Sequence, residues 1–111
     1  MARDFRKIRA WQLADDLTVA VYSATKRFPQ EETYGVTSQV RRAASSVPAN
    51  IVEGANRATK KDYAHFLNIA RGSLAETEYY LHLSKRLGYL TDAEYAELDG
   101  LRRETAATLH G

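Results

Sequence analysis

Apolar residues in this chain recur at steps of three and four along four segments, and almost nowhere alternate with the period of two that a half-buried strand shows. The pattern predicts an all-α chain. In the first segment Ile8, Trp11, Ala14, Leu17, Ala20, Val21, Ala24 and Phe28 fall on one face, so a helix is expected from about Phe5 or Ile8 to Phe28, closed by Pro29. The second is expected to begin near Glu31 to Gly35, where acids suit a helix N-terminus, and to bury Val36, Val40, Ala43, Ala44, Val47, Ile51 and Ala55. Pro48 lies inside it. A proline there has no N–H to donate and frees the Ala44 carbonyl, at a cost of about 3 kcal/mol. The apolar phase nevertheless runs unshifted from Val40 to Ala55, which favours a helix kinked at Pro48 but continuous.

The third helix starts at a capping box, Thr59 to Asp62, and ends at Leu87-Gly88, where glycine can take the left-handed conformation. A second box, Thr91 to Glu94, follows at once, so helices three and four are joined by a tight turn and should be antiparallel neighbours. The fourth presents Tyr95, Leu98, Leu101, Thr105 and Leu109, with Gly100 a weak point worth about 1 kcal/mol relative to alanine. Short connections near Pro29, Arg57 and Gly88 predict an up-down-up-down antiparallel four-helix bundle, one domain over residues 1–111.

Helix three is wider in its apolar face than a surface helix of a lone bundle needs. Tyr63, Phe66, Leu67, Ala70, Leu74, Leu81 and Leu87 make one face, and Ile69, Tyr79, Tyr80 and Leu83 broaden it. The small residues Ala70, Gly72, Ser73 and Ala75 would let another helix approach closely. A protein–protein interface is the preferred cover; the alternative is that the tyrosines lie amphipathically in water.

Composition narrows the chemistry. The 111 residues hold no cysteine, which removes disulfides, thiolate nucleophiles and Cys-ligated metal centres. Asp62 with His65 and Glu78 with His82 only approximate the Glu-x-x-His pairs of di-iron bundles, and no zinc, phosphate-loop or nucleophile-elbow motif is present, so neither a metal nor a cofactor is expected. His65, His82 and His110 have no visible catalytic partner, and a non-enzymatic protein is the better reading. The basic start, Arg3, Arg6, Lys7 and Arg9, is not followed by a signal-peptide core, and the apolar runs are far short of the roughly 20 residues that span a bilayer. A cytoplasmic protein without membrane partners is expected.

Two polar patterns remain. Gln39, Arg42, Ser46, Asn50, Glu53 and Arg57 form a stripe on helix two, readable either as a solvated face or as a network against another helix. Asn50 and Glu53, beside Gly54, are expected to tie helix two to a neighbouring helix or subunit, together with Gly72, Ser73, Glu76, Tyr79 and Tyr80 on helix three. Basic residues cluster at Arg41-Arg42 and at Arg57, Lys60 and Lys61, with Arg71 further along. The net charge is only +2, so each copy would offer few phosphate contacts, but an oligomer repeats the patch once per subunit.

Several motifs occur in order over most of the chain: Trp11-Gln12, Phe28-Pro29, Tyr34-Gly35, Gln39-Val40-Arg41-Arg42-Ala43-Ala44, Ser46-Val47-Pro48-Ala49-Asn50-Ile51-Val52-Glu53-Gly54, Ile69-Ala70-Arg71-Gly72-Ser73-Leu74-Ala75-Glu76 and Leu87-Gly88-Tyr89-Leu90. This array resembles the bacterial four-helix bundle proteins also called 23S rRNA intervening-sequence proteins, or S23 ribosomal proteins. Val47 and Val52 stand where that family usually has Ile and Ala, small apolar exchanges. The resemblance implies a four-helix bundle without known catalytic residues and relatives that form ring-like homopentamers. It also implies a genetic association with insertions in 23S rRNA genes, and a distant likeness to the nucleic-acid-binding accessory protein of diversity-generating retroelements. The leading expectation is therefore a homo-oligomer, a pentamer, that binds RNA or DNA through Arg41, Arg42, Arg57, Lys60, Lys61 and Arg71. The rival is a scaffold that recruits a protein partner and has no nucleic-acid ligand.

Overall fold

Near its start the chain turns on a cap: the Asp4 carboxylate accepts a hydrogen bond from the Arg6 N–H at 3.1 Å and opens a single 3₁₀ turn, Phe5–Lys7. The computed structural model describes residues 3–109. Ile8 is extended, so helix α1, Arg9–Thr25, begins later than the apolar pattern predicts. It also ends earlier. Lys26 to Phe28 form a turn in which the Phe28 N–H reaches the Thr25 carbonyl, while the Phe28 ring stays in the core against Tyr89.

The acids expected to open the second helix instead form a 3₁₀ turn, Gln30–Glu32, because Gly35 interrupts the helical path before α2, Val36–Ala55. Glu32 still serves the helix, since its Oε1 accepts from the Val36 N–H at 3.2 Å. Helix α2 runs through Pro48 without a break. The carbonyl that Pro48 leaves without a donor, that of Ala44, lies 3.1 Å from the Thr18 hydroxyl of α1. A neighbouring helix thus compensates the missing hydrogen bond.

Helix α3, Lys60–Arg86, starts where its cap predicts, with the Thr59 hydroxyl accepting from the Asp62 N–H at 3.1 Å. At the other end Gly88 has φ +80°, the Gly88 N–H bonds the Lys85 carbonyl, and the Tyr89 N–H bonds the Ser84 carbonyl. Those bonds close the last turn as a Schellman-type cap. The box before α4, Asp92–Leu109, is reciprocal: the Glu94 N–H donates to the Thr91 hydroxyl and the Thr91 N–H to the Glu94 carboxylate.

The four helices form an all-α bundle of about 45 × 25 × 19 Å, in which α1 packs on α2 and α4, and α3 on the same two helices. Partners across the seams descend on one helix as they ascend on the next: Thr25 with Arg41 and Thr18 with Ala44, then Arg42 with Glu76 and Ser46 with Ser73. Leu17, Val21, Val40, Val47, Ile51 and Leu81 fill the centre. Thr77, Ser84 and Thr105 are also buried, and each hydroxyl donates to a carbonyl of its own helix, so no buried donor is lost there. Leu87, placed on the core face by the pattern, follows the end of α3 and is 49% exposed. No described helix is long and apolar enough to cross a membrane.

Candidate functional site

Arg71 meets the last carbonyl of α4, that of Leu109, so the first turns of α3 extend past the end of that helix. They pack instead against α2 and the folded-back N-terminal segment. The Arg3 N–H donates to the Ala55 carbonyl at 3.2 Å, the Arg3 guanidinium donates to the Arg57 carbonyl at 3.1 Å, and it lies 4.2 Å from the centre of the Tyr63 ring. Arg3 and Arg57 therefore stand at one end of the bundle with Lys60 and Lys61. Periodicity does not reveal this convergence, because Arg3 lies outside any helix. The local signal at this point is Asp4, which caps the 3₁₀ turn just after Arg3; the bonds of Arg3 itself hold the segment against the end of α2.

Lys60 and Lys61 are exposed in the first turn of α3, with Asp62 the only acid there. Cations at a helix N-terminus oppose the helix dipole, by about 0.3–1 kcal/mol each in typical surface settings. Neither lysine is in an ion pair among the described residues. Arg57 is partly committed: it bonds Glu53 at 3.0 Å and its guanidinium covers the Phe66 ring at 4.6 Å.

The other expected phosphate contacts are not part of this cluster. Arg42 bonds Glu76 at 2.7 Å and Gln39 on its own helix. That carboxylate, first by hydrogen bonding and then by charge, raises the Arg42 pKa. Arg71 caps the C-terminus of α4 through Leu109 and also bonds Asn68, a structural duty that sequence spacing could not reveal. Arg41 donates from Nε to the Thr25 hydroxyl at 2.7 Å and lies over the Tyr22 ring, at the opposite end of α2 from Arg57.

The polar stripe of α2 is partly a network. Asn50 donates to the Ser46 carbonyl and hydroxyl, and the Ser46 and Ser73 hydroxyls are 2.8 Å apart across the α2–α3 seam. Gly54 permits that seam: a Cβ there would stand 2.9 Å from the Phe66 Cβ and 3.0 Å from Tyr63. Neither Asn50 nor Glu53 makes the expected tie itself: Asn50 bonds only Ser46 of its own helix, the seam being crossed by Ser46, and Glu53 reaches only Arg57 of its own helix and is exposed. The small residues of α3 divide: Ala70 and Ser73 are buried, Ser73 against Ser46 of α2, whereas Gly72 faces open space. Outside the seam, Ile69 and Tyr79 remain 39% and 55% exposed, with Tyr80 half-buried beside Tyr79.

His65 and His82 are exposed, and His110 lies outside the described residues. No group of three or more His, Cys, Asp or Glu among the described residues is arranged to hold a metal.

A family model described as 23S rRNA-intervening sequence protein matches residues 6–111. A crystal structure of a protein of unknown function from the S23 ribosomal protein family of Bacteroides thetaiotaomicron is similar over 90% of this chain and 94% of its own, with 25% identity and a TM-score of 0.82. No match was found among curated proteins.

Proposed function

Because the chain belongs to the 23S rRNA-intervening sequence protein family, we propose that it is a non-enzymatic cytoplasmic homo-oligomer, five copies by the resemblance, that binds RNA or DNA through basic groups repeated on each copy. The observation that carries this reading is the basic end of the bundle, where Arg3 and Arg57 join Lys60 and Lys61. Two unpaired lysines placed against a helix dipole lower stability and leave their charge available to phosphate. Assembly multiplies a patch too weak for one copy to use. Helix α3 offers the surface for it: Ile69, Gly72 and Tyr79 form an exposed, partly apolar strip with room at Gly72 for close approach.

Native mass spectrometry of protein purified without nuclease tests both halves together. The expected result is a multiple of the 12.5 kDa chain, five on this reading, carrying nucleic acid. Binding then weakens steeply as salt rises, and Lys60→Glu with Lys61→Glu lowers both affinity and salt slope. A monomer overturns the assembly. An affinity indifferent to salt and to both lysines overturns the ligand, and protein capture that survives nuclease then favours the scaffold.

A further inference from the structure

The basic end of the bundle extends beyond Arg3, Arg57, Lys60 and Lys61. Helix α1 starts beside the end of α2, and the 3₁₀ turn Phe5–Lys7 packs on both helices there, so Arg6, Lys7 and Arg9 belong to the same end. The acids on the segments that form it, residues 3–9 and 53–62, are Asp4, Glu53 and Asp62. Asp4 pairs with Arg6 and Glu53 with Arg57, whereas Lys7, Arg9, Lys60 and Lys61 are in no ion pair among the described residues.

Charge alone would suit any polyanion, but aromatic rings are interleaved with it. Three rings at this end each carry a guanidinium over one face: Arg6 lies 5.0 Å from the centre of the Phe5 ring, Arg3 4.2 Å from that of Tyr63 and Arg57 4.6 Å from that of Phe66. All three rings are half-buried. Trp11 meets Phe5 edge to face at 4.9 Å, and the backbone at Gly54 closely approaches Tyr63 and Phe66. Hydrogen bonds then hold two of the guanidinium groups by their edges, Arg3 to the Arg57 carbonyl and Arg57 to the Glu53 carboxylate. The side chains of Arg6 and Arg57 nevertheless remain 74% and 43% exposed.

A planar guanidinium stacks on a ring by one face and offers the other to a second flat group. A nucleobase is such a group, and it is free to stack only where its strand is unpaired, because in a duplex its faces are taken by neighbouring bases. We propose that this end of the bundle binds single-stranded nucleic acid. Bases stack on the guanidinium planes of Arg3, Arg6 and Arg57, and Lys7, Arg9, Lys60 and Lys61 hold the phosphates. Every base has a π-face, so the site tolerates changes of sequence. This rests on the nucleic-acid reading above and narrows its ligand to unpaired strands.

The experiment measures affinity for a short single strand of mixed sequence, as RNA and as DNA, and for the duplex of each, over a range of salt concentrations. The strand is expected to bind about tenfold more tightly than its duplex, and the sugar held more tightly identifies the strand as RNA or DNA. Joint substitution Arg3→Lys, Arg6→Lys and Arg57→Lys keeps each charge and removes each plane. It lowers strand affinity about tenfold, brings the ratio of strand to duplex towards one, and leaves the salt slope as it was. Lys60→Glu with Lys61→Glu does the reverse, weakening strand and duplex alike and reducing the slope with the ratio intact. Arg3 and Arg57 also brace the end of α2, so melting curves accompany the variants; Arg6→Lys alone, at the most exposed of the three, lowers the ratio in a protein that keeps its fold. Equal affinity for strand and duplex, or an unchanged ratio in the folded lysine variants, overturns the proposal and leaves the nucleic-acid reading standing. Binding to neither overturns both.

Discussion

The Thr18 hydroxyl of α1 lies 3.1 Å from the Ala44 carbonyl of α2, the group that Pro48 deprives of its intrahelical donor. The same hydroxyl lies 2.8 Å from the Ala14 carbonyl, so its single proton is shared between its own helix and the proline's vacancy. Thr18→Val removes the donor and is expected to lower stability by about 1–2 kcal/mol, the usual penalty for an unsatisfied half-buried carbonyl. Pro48→Ala restores an N–H for Ala44, so Thr18→Val should cost less in that background. Denaturant melts of the four proteins in a double-mutant cycle measure this coupling, and strictly additive effects would remove the compensation argument.

Gly54→Ala places a methyl 2.9 Å from the Phe66 Cβ and 3.0 Å from Tyr63. Neither neighbour can withdraw freely, since both rings are already fixed by the guanidinium groups of Arg57 and Arg3. Overpacking of this kind lowers stability by about 1–3 kcal/mol. A melting temperature equal to that of the unaltered protein would show that the α2–α3 seam is looser than its geometry.

Gly72 and Gly100 make the opposite case. An added Cβ meets nothing within 4 Å at either, and both lie inside helices. Gly72→Ala and Gly100→Ala should each stabilise the isolated bundle by about 0.5–1 kcal/mol through helix propensity alone. The two part company in assembly. Gly72 lies on the strip assigned to a second copy, so its substitution is expected to reduce the oligomer in native mass spectra, while Gly100→Ala leaves it intact. Full assembly of the Gly72 variant would move the subunit contact elsewhere.

Glu32 and Tyr89 predict a pH signature. The Tyr89 hydroxyl donates to Glu32 at 2.8 Å; this bond, then the Val36 N–H, holds the Glu32 pKa below its ordinary 4.5, and the Glu32 bond raises that of Tyr89 above its ordinary 10.0. A depressed carboxyl stabilises the fold above its unfolded pKa and loses that contribution as pH falls through the folded value. A raised phenol contributes fully below its unfolded pKa and loses it as pH rises through the folded one. Thermal melts of the parent and of Tyr89→Phe should therefore differ by a constant amount between about pH 6 and 8, and the difference should shrink progressively as pH falls below 4.5 and as it rises above 10.0. A difference independent of pH would mean that the ring, not the hydroxyl bond, supplies the tyrosine's contribution.

Helical periodicity, the caps at Thr59 and Thr91, and the left-handed Gly88 are properties of local sequence, and for that reason the starts of α3 and α4 and the last turn of α3 could be read directly, whereas α1 and α2 start later than their patterns. Intact apolar phase across Pro48 likewise announced that α2 continues, because a helix that keeps one buried face must keep its register. What local sequence could not determine is which partner each polar side chain finds. Arg71 has the composition of a phosphate contact, yet α4 ends beside it and takes its donors; Ser73 sits among small residues that could face anything, yet α2 approaches it. Arg3 joins Arg57 only because the chain folds back across 54 positions. Tertiary structure decided these assignments, for a hydrogen bond acts over about 3 Å and depends on distance in space. Burial patterns that make helices repeat within a few residues, and so are written along the chain.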